Sequence, residues 1–221
     1  MTKLKLTYFD GPGRAEAIRL CFVVGGVEFE DERVNKEQWG AMKTAALENE
    51  KRNICQMPFL PWLEVDGVVI SQSLAILRYA AATAGLDGKA PLEKAKIDMV
   101  LSTFQELLEI TVKYVLAEES DKEQVLEKAK EVWKKMLTKL ESMMKESNGG
   151  GKWLIGNDMS AADIVIFSFL KQTDARLSSM VSKSIYDDLD IPCLKGLAER
   201  VGQVEKIKEY YDKQAEQSTK S

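Results

Sequence analysis

The sequence predicts an α/β domain followed by an all-helical domain, and two observations indicate this combination. In the first third of the chain, short strand-like and helical segments alternate and include a hairpin signal, Asp66-Gly67 between two apolar runs. Later in the chain, apolar residues recur at the spacing of an α-helix. We expect the α/β domain over residues 1–83, a polar linker over 84–91 and the helical domain over 92–221.

In the first domain the predicted order is strand, helix, strand, helix, strand, strand, helix. Apolar residues at helical spacing after Arg14 favour a helix that Gly25-Gly26 ends, and alternating apolar and acidic residues from Val27 favour a strand. A charged segment before the hairpin favours loop and irregular helix, and Ser73 is a candidate cap for the last helix. The predicted segments are 3–8, 14–24, 27–30, 36–50, 62–65, 68–70 and a helix from residue 73.

The second domain is predicted to contain helices alone, because no strand signal of comparable quality occurs in it. A glycine-rich loop is expected at 148–151. Ser160 and Asp163 have the spacing of a capping box, in which the serine caps a helix and the acid reaches back to it. The apolar run that follows predicts a helix buried on most sides. The predicted helical segments are 92–117, 121–146, 164–170, 194–201 and 204–214.

Composition and charge exclude several classes of protein. A chain of 221 residues with a formal charge of −4 and a pI near 5.2 lacks the basic face that nucleic-acid binding requires. No apolar run approaches the ~20 residues of a membrane span. The first five residues lack the apolar region of a signal peptide. We therefore expect a cytoplasmic protein that binds neither nucleic acid nor membrane.

The cysteine and histidine content restricts the chemistry further. Cys21, Cys55 and Cys193 are far apart and odd in number, so the spacing suggests neither a disulfide framework nor a zinc site. The chain contains no histidine, which removes Ser-His-Asp and Cys-His catalysis and most zinc and haem sites. Proton chemistry must therefore come from carboxylates, tyrosine, lysine or a thiol that a substrate brings in.

Tyr8 ends the first predicted strand, and a turn with two glycines leads from it to the first predicted helix. Unpaired backbone N–H groups and the helix dipole meet at such a junction and stabilise anions and thiolates. A tyrosine hydroxyl there can donate a hydrogen bond to a sulfur anion; the alternative interpretation of Tyr8 is a core residue at a strand end. The turn Gly11-Pro12-Gly13 lacks the third glycine of a dinucleotide-binding fingerprint, so we exclude a Rossmann site.

Seven groups of residues follow one another along the chain. They are Leu6-Thr7-Tyr8-Phe9, Gly13-Arg14-Ala15-Glu16, Phe29-Glu30-Asp31, Trp39 with Lys43, Pro61 with Leu63-Glu64-Val65-Asp66-Gly67, Ser71-Gln72-Ser73-Leu74-Ala75-Ile76 with Arg78-Tyr79, and Gly156 with Ser160-Ala161-Ala162-Asp163. Together they resemble the cytosolic glutathione S-transferases, most closely the sigma-like group that includes haematopoietic-type prostaglandin D synthases. The resemblance spans nearly the whole chain, and the groups are specific jointly although each is weak alone.

The resemblance implies a thioredoxin-like domain that binds glutathione, a helical domain that supplies an electrophile pocket, and a homodimer. It implies no cofactor beyond glutathione and no metal. Tyr8 is implied to donate its O–H to the glutathione sulfur, and Arg14 to tune the tyrosine; the alternative for Arg14 is a surface charge at a helix start. A free thiol with a pKa near ~8.5 is only slightly ionised at neutral pH, so such a hydrogen bond favours the thiolate.

Pro61 is implied to be a cis-proline that turns the backbone N–H and C=O of Leu60 toward the cysteinyl unit of glutathione. Pro58 competes for this role, but that choice would leave Pro61 inside a central strand, where the missing N–H is costly. With Pro61 in the role, the segment 44–59 contains an insertion, and Phe59 stands where the family carries a basic residue.

The resemblance also implies contacts to both ends of glutathione. Gln72 and Ser73, at a helix start, are implied to bind the γ-glutamyl carboxylate, and Trp39 with Lys43 the glycyl end. Glu106 is implied to reach the γ-glutamyl amine across a dimer interface. The alternatives are an ordinary cap for Ser73 and solvent-facing side chains for Lys43 and Glu106. The implied electrophile pocket comprises Phe9, Gly13, Phe104, Leu108 and Val112.

Three functions remain open on the sequence alone. The first is a glutathione transferase that joins the glutathione thiolate to small hydrophobic electrophiles. The second is a glutathione-dependent isomerase of the prostaglandin D synthase type; Lys113, where those synthases carry a tryptophan, counts against it. The third is a non-catalytic structural relative, which the largely intact glutathione-side residues count against. The electrophile itself does not follow from the sequence.

Overall fold

The computed structural model describes residues 2–48, 57–147, 151–181, 186 and 189–218. The chain divides into two units, Met1–Leu86 and Asp87–Ser221. The first unit contains every strand of the described residues, and the second contains helices. The predicted fold class is confirmed: a thioredoxin-like α/β unit comes first and an all-helical unit second. The exact domain and linker boundaries, 83, 84 and 91, stay a prediction.

The first unit has the element order that the sequence predicts. Its four-stranded sheet has the order β2-β1-β3-β4; β1 is parallel to β2 and antiparallel to β3, and β3 is antiparallel to β4. α1 packs against α3. The elements are β1 (Leu4–Phe9), a 3-10 turn (Gly13–Ala15), α1 (Glu16–Gly25), β2 (Glu30–Val34), α2 (Lys36–Glu48), β3 (Trp62–Val65), β4 (Val68–Ser71) and α3 (Ser73–Thr83).

The second strand, β2, lies at Glu30–Val34, so the prediction of 27–30 is wrong for all but its last residue. The backbone N–H of Val27 donates to the Phe22 carbonyl at the end of α1 (2.9 Å). The ring of Phe29 packs against that of Phe22, with 5.0 Å between the ring centroids. Val27 and Phe29 therefore bind to the C-terminal end of α1, and pairing with β1 begins only at Glu30.

α2 is a regular helix, so the prediction of loop and irregular helix over 36–50 is wrong for the part that the structure describes. Its start is fixed by two reciprocal bonds: the Gln38 N–H donates to Asn35 Oδ1, and the Asn35 N–H donates to Gln38 Oε1, each at 2.8 Å. This is a capping box made from Asn and Gln, which satisfies two backbone donors at the helix start. The Asn-x-x-Gln spacing was a signal in the sequence.

The predicted hairpin is confirmed. β3 and β4 are joined by Asp66 and Gly67, whose φ angles are 48° and 87°. Positive φ at both central residues is the requirement of a type I′ turn, which matches the twist of the flanking strands. This hairpin fixes the register in which β3 pairs with β4. β3 also pairs antiparallel with β1, so the start of β3 lies beside the end of β1.

The second unit consists of helices throughout its described residues, as predicted. α6 packs against both α4 and α7, and every residue from 161 to 170 in α6 is buried, which confirms the expectation of a helix covered on most sides. The predicted loop at 148–151 lies outside the described residues except for Gly151. The helices are α4 (Pro91–Val115), α5 (Lys122–Ser147), α6 (Ala161–Val181), α7 (Pro192–Gly202) and α8 (Glu205–Ser218).

Candidate active site

The end of β1 and the turn after it hold the side chain of Tyr8. The backbone N–H of Arg14 donates to the Tyr8 hydroxyl oxygen at 3.2 Å. A phenol oxygen has one proton to donate and can accept as well. Because this backbone donor fills an acceptor position, the Tyr8 proton is left to point toward another acceptor. The Tyr8 side chain is only partly buried, so such an acceptor can reach it.

Gly13 allows the turn to approach the Tyr8 ring. Its φ is +43°, and a Cβ at this position would lie 2.6 Å from the Tyr8 hydroxyl oxygen and 2.8 Å from a ring carbon. Any side chain here would collide with the ring and would also be strained in the left-handed region. The resemblance implies that Gly13 lines an electrophile pocket, and this stays a prediction; in the structure Gly13 lies against Tyr8.

Three neighbouring strand ends meet at one edge of the sheet. β3 is antiparallel to both β1 and β4, so the end of β1, the start of β3 and the end of β4 lie together. One residue beyond the last paired positions, this register puts Tyr8, Pro61 and Gln72 in adjacent rows. Strands lie about 4.8 Å apart, so the three residues span roughly 10 Å.

The backbone at this edge has two unusual features. The Leu60–Pro61 peptide bond is cis, which confirms Pro61 rather than Pro58 as the predicted cis-proline. Gln72 has φ +76°, a value that a residue with a side chain rarely adopts. A positive φ at a residue with a side chain is found disproportionately at ligand sites, where surrounding structure holds it. Leu60, the residue before the cis bond, is partly exposed.

The N-terminus of α3 opens at the same edge. Gln72 occupies the N-cap position and Ser73 is the first helical residue, so the prediction of Ser73 as the cap is wrong by one position. The Gln72 side chain makes no capping bond, which leaves the first N–H groups of α3 without a cap from that side chain. Backbone N–H groups at a helix start, together with the helix dipole, favour an anion.

Aromatic rings lie in a row beside Tyr8. Ring centroids are 5.6 Å apart for Tyr8 and Phe9, 6.5 Å for Phe9 and Trp39, and 4.9 Å for Trp39 and Trp62, and each pair is edge-to-face. Trp39 belongs to α2, and Lys43 is exposed one helical turn further on. Residues four apart share one helix face, so Trp39 and Lys43 can contact one ligand.

The loop before the cis bond is tied to the hairpin. The Met57 N–H donates to the Ser71 hydroxyl (2.9 Å), and the Trp62 indole N–H donates to the Met57 carbonyl (2.8 Å). Phe59 between them is 62% exposed. The predicted insertion lies partly outside the described residues, since 49–56 are not described.

A residue that sequence reasoning missed, Arg19, lies behind the Tyr8 turn. Its side chain is fully buried in α1, and its guanidinium donates to the carbonyls of Gly11 (2.9 Å) and Pro12 (3.4 Å). It also donates to Asp31 (2.9 Å). The sequence did contain a signal for Arg19, since it is a charged residue within an apolar helical segment. A charge that such a segment buries needs hydrogen-bond or ionic partners. By contrast, Arg14 contacts Tyr8 through its backbone N–H.

The candidate residues of the helical unit lie on α4. Phe104 and Leu108 are buried, with Phe104 packed edge-on against Phe169 of α6 (6.5 Å between centroids). Val112 is partly buried, and Glu106 is exposed. These residues belong to a different unit from Tyr8, Phe9 and Gly13. The predicted electrophile pocket and the reach of Glu106 across a dimer stay predictions.

The described cysteines do not supply a thiolate. Burial raises the pKa of the Cys21 thiol to about 12. Burial and the nearby Glu141 carboxylate raise the pKa of the Cys193 thiol. Both thiols therefore stay protonated at neutral pH, and Cys55 lies outside the described residues. A sulfur anion at the Tyr8 site must come from a ligand.

The described residues contain no group of three or more Cys, Asp or Glu side chains placed to hold a metal ion, and the chain has no histidine. Within the same residues, no helix combines the length and the apolar character that crossing a bilayer demands.

Comparisons with known proteins match both units. The family model described as "Glutathione S-transferase, N-terminal domain" matches residues 4–82, and "Glutathione S-transferase, C-terminal domain" matches 105–214. Glutathione S-transferase 1 of Ascaris suum is 36% identical over 217 residues, which cover 95% of this chain and 96% of that protein.

A second relative and a solved structure extend this result. Hematopoietic prostaglandin D synthase of Gallus gallus is 36% identical over 169 residues, 74% of this chain and 75% of that protein. The crystal structure of a glutathione S-transferase from the hookworm Necator americanus, described as monomeric, superposes with a TM-score of 0.78 at 29% identity, covering 96% of this chain and 97% of that one.

Proposed function

Because the chain belongs to the glutathione S-transferase family, we propose that it joins the glutathione thiolate to small hydrophobic electrophiles and that the Tyr8 hydroxyl stabilises this thiolate. The chain is an enzyme of the glutathione transferase type. The finer assignment, to the sigma-like group, rests on the motifs around Tyr8 and Gln72 and on the similarity to a prostaglandin D synthase. Cytoplasmic localisation is part of the proposal.

The observation that carries the proposal is the bond from the Arg14 backbone N–H to the Tyr8 oxygen. This bond orients the phenol and leaves its proton available to an incoming sulfur. A thiol with a pKa near ~8.5 is mostly protonated at neutral pH, and a hydrogen bond donated to the anion lowers that pKa. The thiolate, which is the nucleophile, is then populated without a general base, in keeping with a chain that has no histidine.

The sheet edge supports binding of an extended tripeptide. Leu60, which precedes the cis bond at Pro61, is partly exposed, and its backbone N–H and C=O suit the cysteinyl unit as a short added strand. The start of α3, at Gln72 and Ser73, suits the γ-glutamyl carboxylate. Trp39 and Lys43 on one face of α2 suit the glycyl end. Each of these contacts is proposed.

The proposal assigns the electrophile to side chains of both units. Phe9 and Gly13 would line it from the α/β unit, and Phe104, Leu108 and Val112 from the helical unit. We propose a homodimer in which Glu106 of a second copy approaches the γ-glutamyl amine; its exposure on α4 is compatible with that role. Sedimentation that showed only monomer with glutathione bound would contradict the part played by Glu106.

Tyr8→Phe tests the proposal directly. The variant should fold, since only one hydroxyl is removed, and its conjugation rate with a chloronitrobenzene-type electrophile should fall about 10²-fold, the typical loss of one aimed donor. Ultraviolet titration of bound glutathione should show the thiol pKa rising toward ~8.5. Glutathione affinity should change little.

Tyr79→Phe is the matched control, because it removes a phenol hydroxyl from α3 of the same unit. It should leave both the rate and the thiol pKa unchanged. A Tyr8→Phe variant with full turnover and an unshifted thiol pKa would contradict the assignment.

The prostaglandin D synthase relative favours a second candidate, a glutathione-dependent isomerase. The exposed Lys113 on α4 counts against it, because the pocket of such an enzyme would need an aromatic side chain there. Turnover of an endoperoxide in the presence of glutathione separates the two candidates. Absence of turnover with every substrate, despite retention on immobilised glutathione, would favour a non-catalytic relative instead.

A further inference from the structure

Two buried side chains at the open end of the hairpin bind the backbone of a single residue, Met57. The Met57 N–H donates to the Ser71 hydroxyl at 2.9 Å, and the Trp62 indole N–H donates to the Met57 carbonyl at 2.8 Å. Trp62 and Ser71 are each 6% exposed and lie directly opposite each other in the register of β3 and β4. Such a cross-strand pair places its side chains side by side. We call these two hydrogen bonds the Met57 clamp.

The clamp lies directly behind the edge of the sheet where glutathione is proposed to bind. Trp62 follows Pro61 in the chain, and Ser71 precedes Gln72. Trp62 and Ser71 form the last paired row of β3 and β4 before that edge. Each residue of the clamp is therefore the chain neighbour of a residue that the proposal places against glutathione.

The loop between the clamp and the sheet is short. Three residues, the last of them Leu60, separate Met57 from Pro61. The Phe59 N–H also donates to the Met57 carbonyl at 2.8 Å, a bond between residues two apart that closes a γ-turn. A carbonyl oxygen has two lone pairs, so it accepts this bond and that of Trp62 together. With the loop fixed at both ends, the backbone of Leu60 has little freedom to move.

The indole of Trp62 also supports a second part of the proposed site. Its ring lies edge-to-face with that of Trp39 in α2, with 4.9 Å between the ring centroids. Aromatic pairs in this geometry attract each other beyond the effect of buried area. Trp62 thus connects the loop before β3 to the helix that the proposal places at the glycyl end of glutathione.

We propose that Ser71 and Trp62 are positioning residues for glutathione: by clamping Met57 they hold the backbone N–H and C=O of Leu60 where the cysteinyl unit can pair with them. The inference rests on the proposed function. Neither side chain touches glutathione in this scheme, and both act through Leu60. Loss of the clamp should therefore weaken glutathione binding and leave the ionisation of the bound thiol by Tyr8 unchanged.

Ser71→Ala and Trp62→Phe are the test variants, and each removes one bond of the clamp. Met57 is 46% exposed, so water can satisfy the backbone group that either variant frees, and both proteins should fold. Trp62→Phe also keeps an aromatic ring beside Trp39. Ser71→Thr is the rescue variant, because it keeps the hydroxyl that accepts from Met57.

Trp133→Phe is the matched control for Trp62→Phe. Trp133 is 2% exposed, and its indole N–H donates to the Thr111 hydroxyl at 3.2 Å within the helical unit. This variant therefore removes a similarly buried indole hydrogen bond that has no connection to the loop before β3. Any loss of stability that is common to both variants is separated in this way from an effect on the ligand.

Calorimetry on the folded variants measures the dissociation constants of glutathione and of S-methylglutathione, which has no thiol proton. Ser71→Ala and Trp62→Phe should each raise both constants about fivefold, the weight of one hydrogen bond, because the loop is then in its binding conformation only part of the time. Ser71→Thr and Trp133→Phe should keep the wild-type constants. The pKa of the bound glutathione thiol and kcat at saturating glutathione should stay unchanged in all four variants.

A variant that carries both Ser71→Ala and Trp62→Phe tests whether the two residues act through the same loop. Its dissociation constants should rise by less than the product of the two single effects, since residues that act as one unit are not additive. Effects that multiply in full would show that Ser71 and Trp62 act separately, and would overturn the inference.

Two further outcomes would overturn the inference. One is a wild-type dissociation constant in folded Ser71→Ala and Trp62→Phe, and the other is a Ser71→Thr variant that binds as weakly as Ser71→Ala. If one of the two test variants does not fold, the other decides by the same criterion. A wild-type protein that binds neither glutathione nor S-methylglutathione would instead overturn the proposed function itself.

Discussion

Gly13 is the residue on which the position of the Tyr8 ring depends most directly. It combines a φ of +43° with a ring contact that leaves no room for a Cβ. The φ angle and the close approach to the ring are both features of the Gly13 backbone, so the Tyr8 ring is positioned before any ligand binds. The phenol is therefore placed by the turn that follows it in the chain, and the geometry of this turn controls where its proton can go.

Gly13→Ala should damage turnover far more than stability. The added methyl group would lie 2.6 Å from the Tyr8 oxygen, so the ring must move away from the Arg14 amide. We expect conjugation to fall at least about tenfold and unfolding free energy to fall by about 1–2 kcal/mol, the cost of a left-handed residue with a side chain. Steady-state kinetics and chemical denaturation measure the two effects.

Gly11→Ala is the control for that substitution. A Cβ at Gly11 would meet nothing within 4 Å, and its φ lies outside the range that disfavours side chains. This variant should keep wild-type turnover and stability. Wild-type turnover in both alanine variants would show that the turn tolerates a side chain at either glycine and that the Gly13 contact does not position Tyr8.

Among single residues, the sequence predicted those marked by a nearby motif and missed Arg19, whose contacts form only in the folded protein. Tyr8 was singled out because it ends a predicted strand, and Pro61 was implied by the family resemblance; the cis bond confirms the expectation for Pro61. Arg19 was missed because its partners, among them Asp31 on a neighbouring strand, come together only in the folded sheet. Gly13 was noticed, but its contact with Tyr8 needs the turn geometry.

The start of α6 shows how one carboxylate organises an element. Asp163 accepts from the backbone N–H of Leu154 (2.8 Å), and from the backbone N–H (2.7 Å) and hydroxyl (3.1 Å) of Ser160. The acid of the predicted capping box thus reaches back as expected, and the serine hydroxyl donates to that acid. These bonds fasten the segment before α6 to the helix at a fully buried position.

Ser160→Ala should lower the free energy of unfolding by about 1 kcal/mol or somewhat more, because the buried Asp163 side chain loses a hydrogen-bond donor. Glutathione affinity should stay unchanged, because the residue contributes to the helical core and to no ligand contact. Ser142→Ala is the control: that hydroxyl donates to the Thr138 carbonyl within α5 and is exposed, so its loss should cost under about 0.5 kcal/mol. Loss of glutathione binding by folded Ser160→Ala would contradict the structural role.

Among the elements, those with strong periodicity were predicted well, and those whose ends depend on capping were not. The helices α4, α5 and α7 have apolar stripes, and the Asp66-Gly67 hairpin has a turn that only a few residue pairs can form. The buried run 164–170 located α6, but the helix extends from Ala161 to Val181, well beyond that run. β2 was misplaced because the packing of Phe29 against Phe22 at the end of α1 overrides the local alternation. The position of α2 was right, but it was not recognised as a regular helix because the Asn35–Gln38 cap was overlooked.

For the whole molecule, the order of two differently built units was the predictable property. The alternation of strands and helices stops before α4, and the two family models divide the chain at the same region, ending at 82 and beginning at 105. The proposed glutathione contacts belong to one unit, apart from Glu106 of a second copy, and the strand register brings the positions of Tyr8, Pro61 and Gln72 together. The proposed electrophile residues include some from the second unit, and periodicity does not identify which side chains these are.

The free energy of unfolding should depend on pH through two buried carboxyl groups, Glu141 and Asp163, whose pKa values are shifted in opposite directions. Burial alone would raise the pKa of Glu141, but the backbone N–H groups of Leu194 and Cys193 and the Lys145 ammonium outweigh it, and the pKa is lowered. For Asp163 burial is the larger influence, and the pKa is raised despite the hydrogen bonds it accepts. An acid with a lowered pKa stabilises the folded state above its unfolded pKa, and one with a raised pKa stabilises it as protons bind.

Glu141→Gln and Asp163→Asn should therefore differ in the slope of stability against pH. At pH 7, Glu141→Gln should cost about 1–3 kcal/mol, because buried donors lose a charged acceptor. That cost should shrink as the pH falls below about 4.3, the ordinary pKa of a glutamate. At lower pH Glu141 of the wild type also becomes protonated and loses the charge that the variant lacks. The cost of Asp163→Asn should grow as the pH falls toward about 3.9 from above, since the wild type gains stability as Asp163 binds its proton. Urea denaturation at a series of pH values measures both differences, and parallel curves for the two variants and the wild type would show that neither carboxylate is coupled to folding in this way.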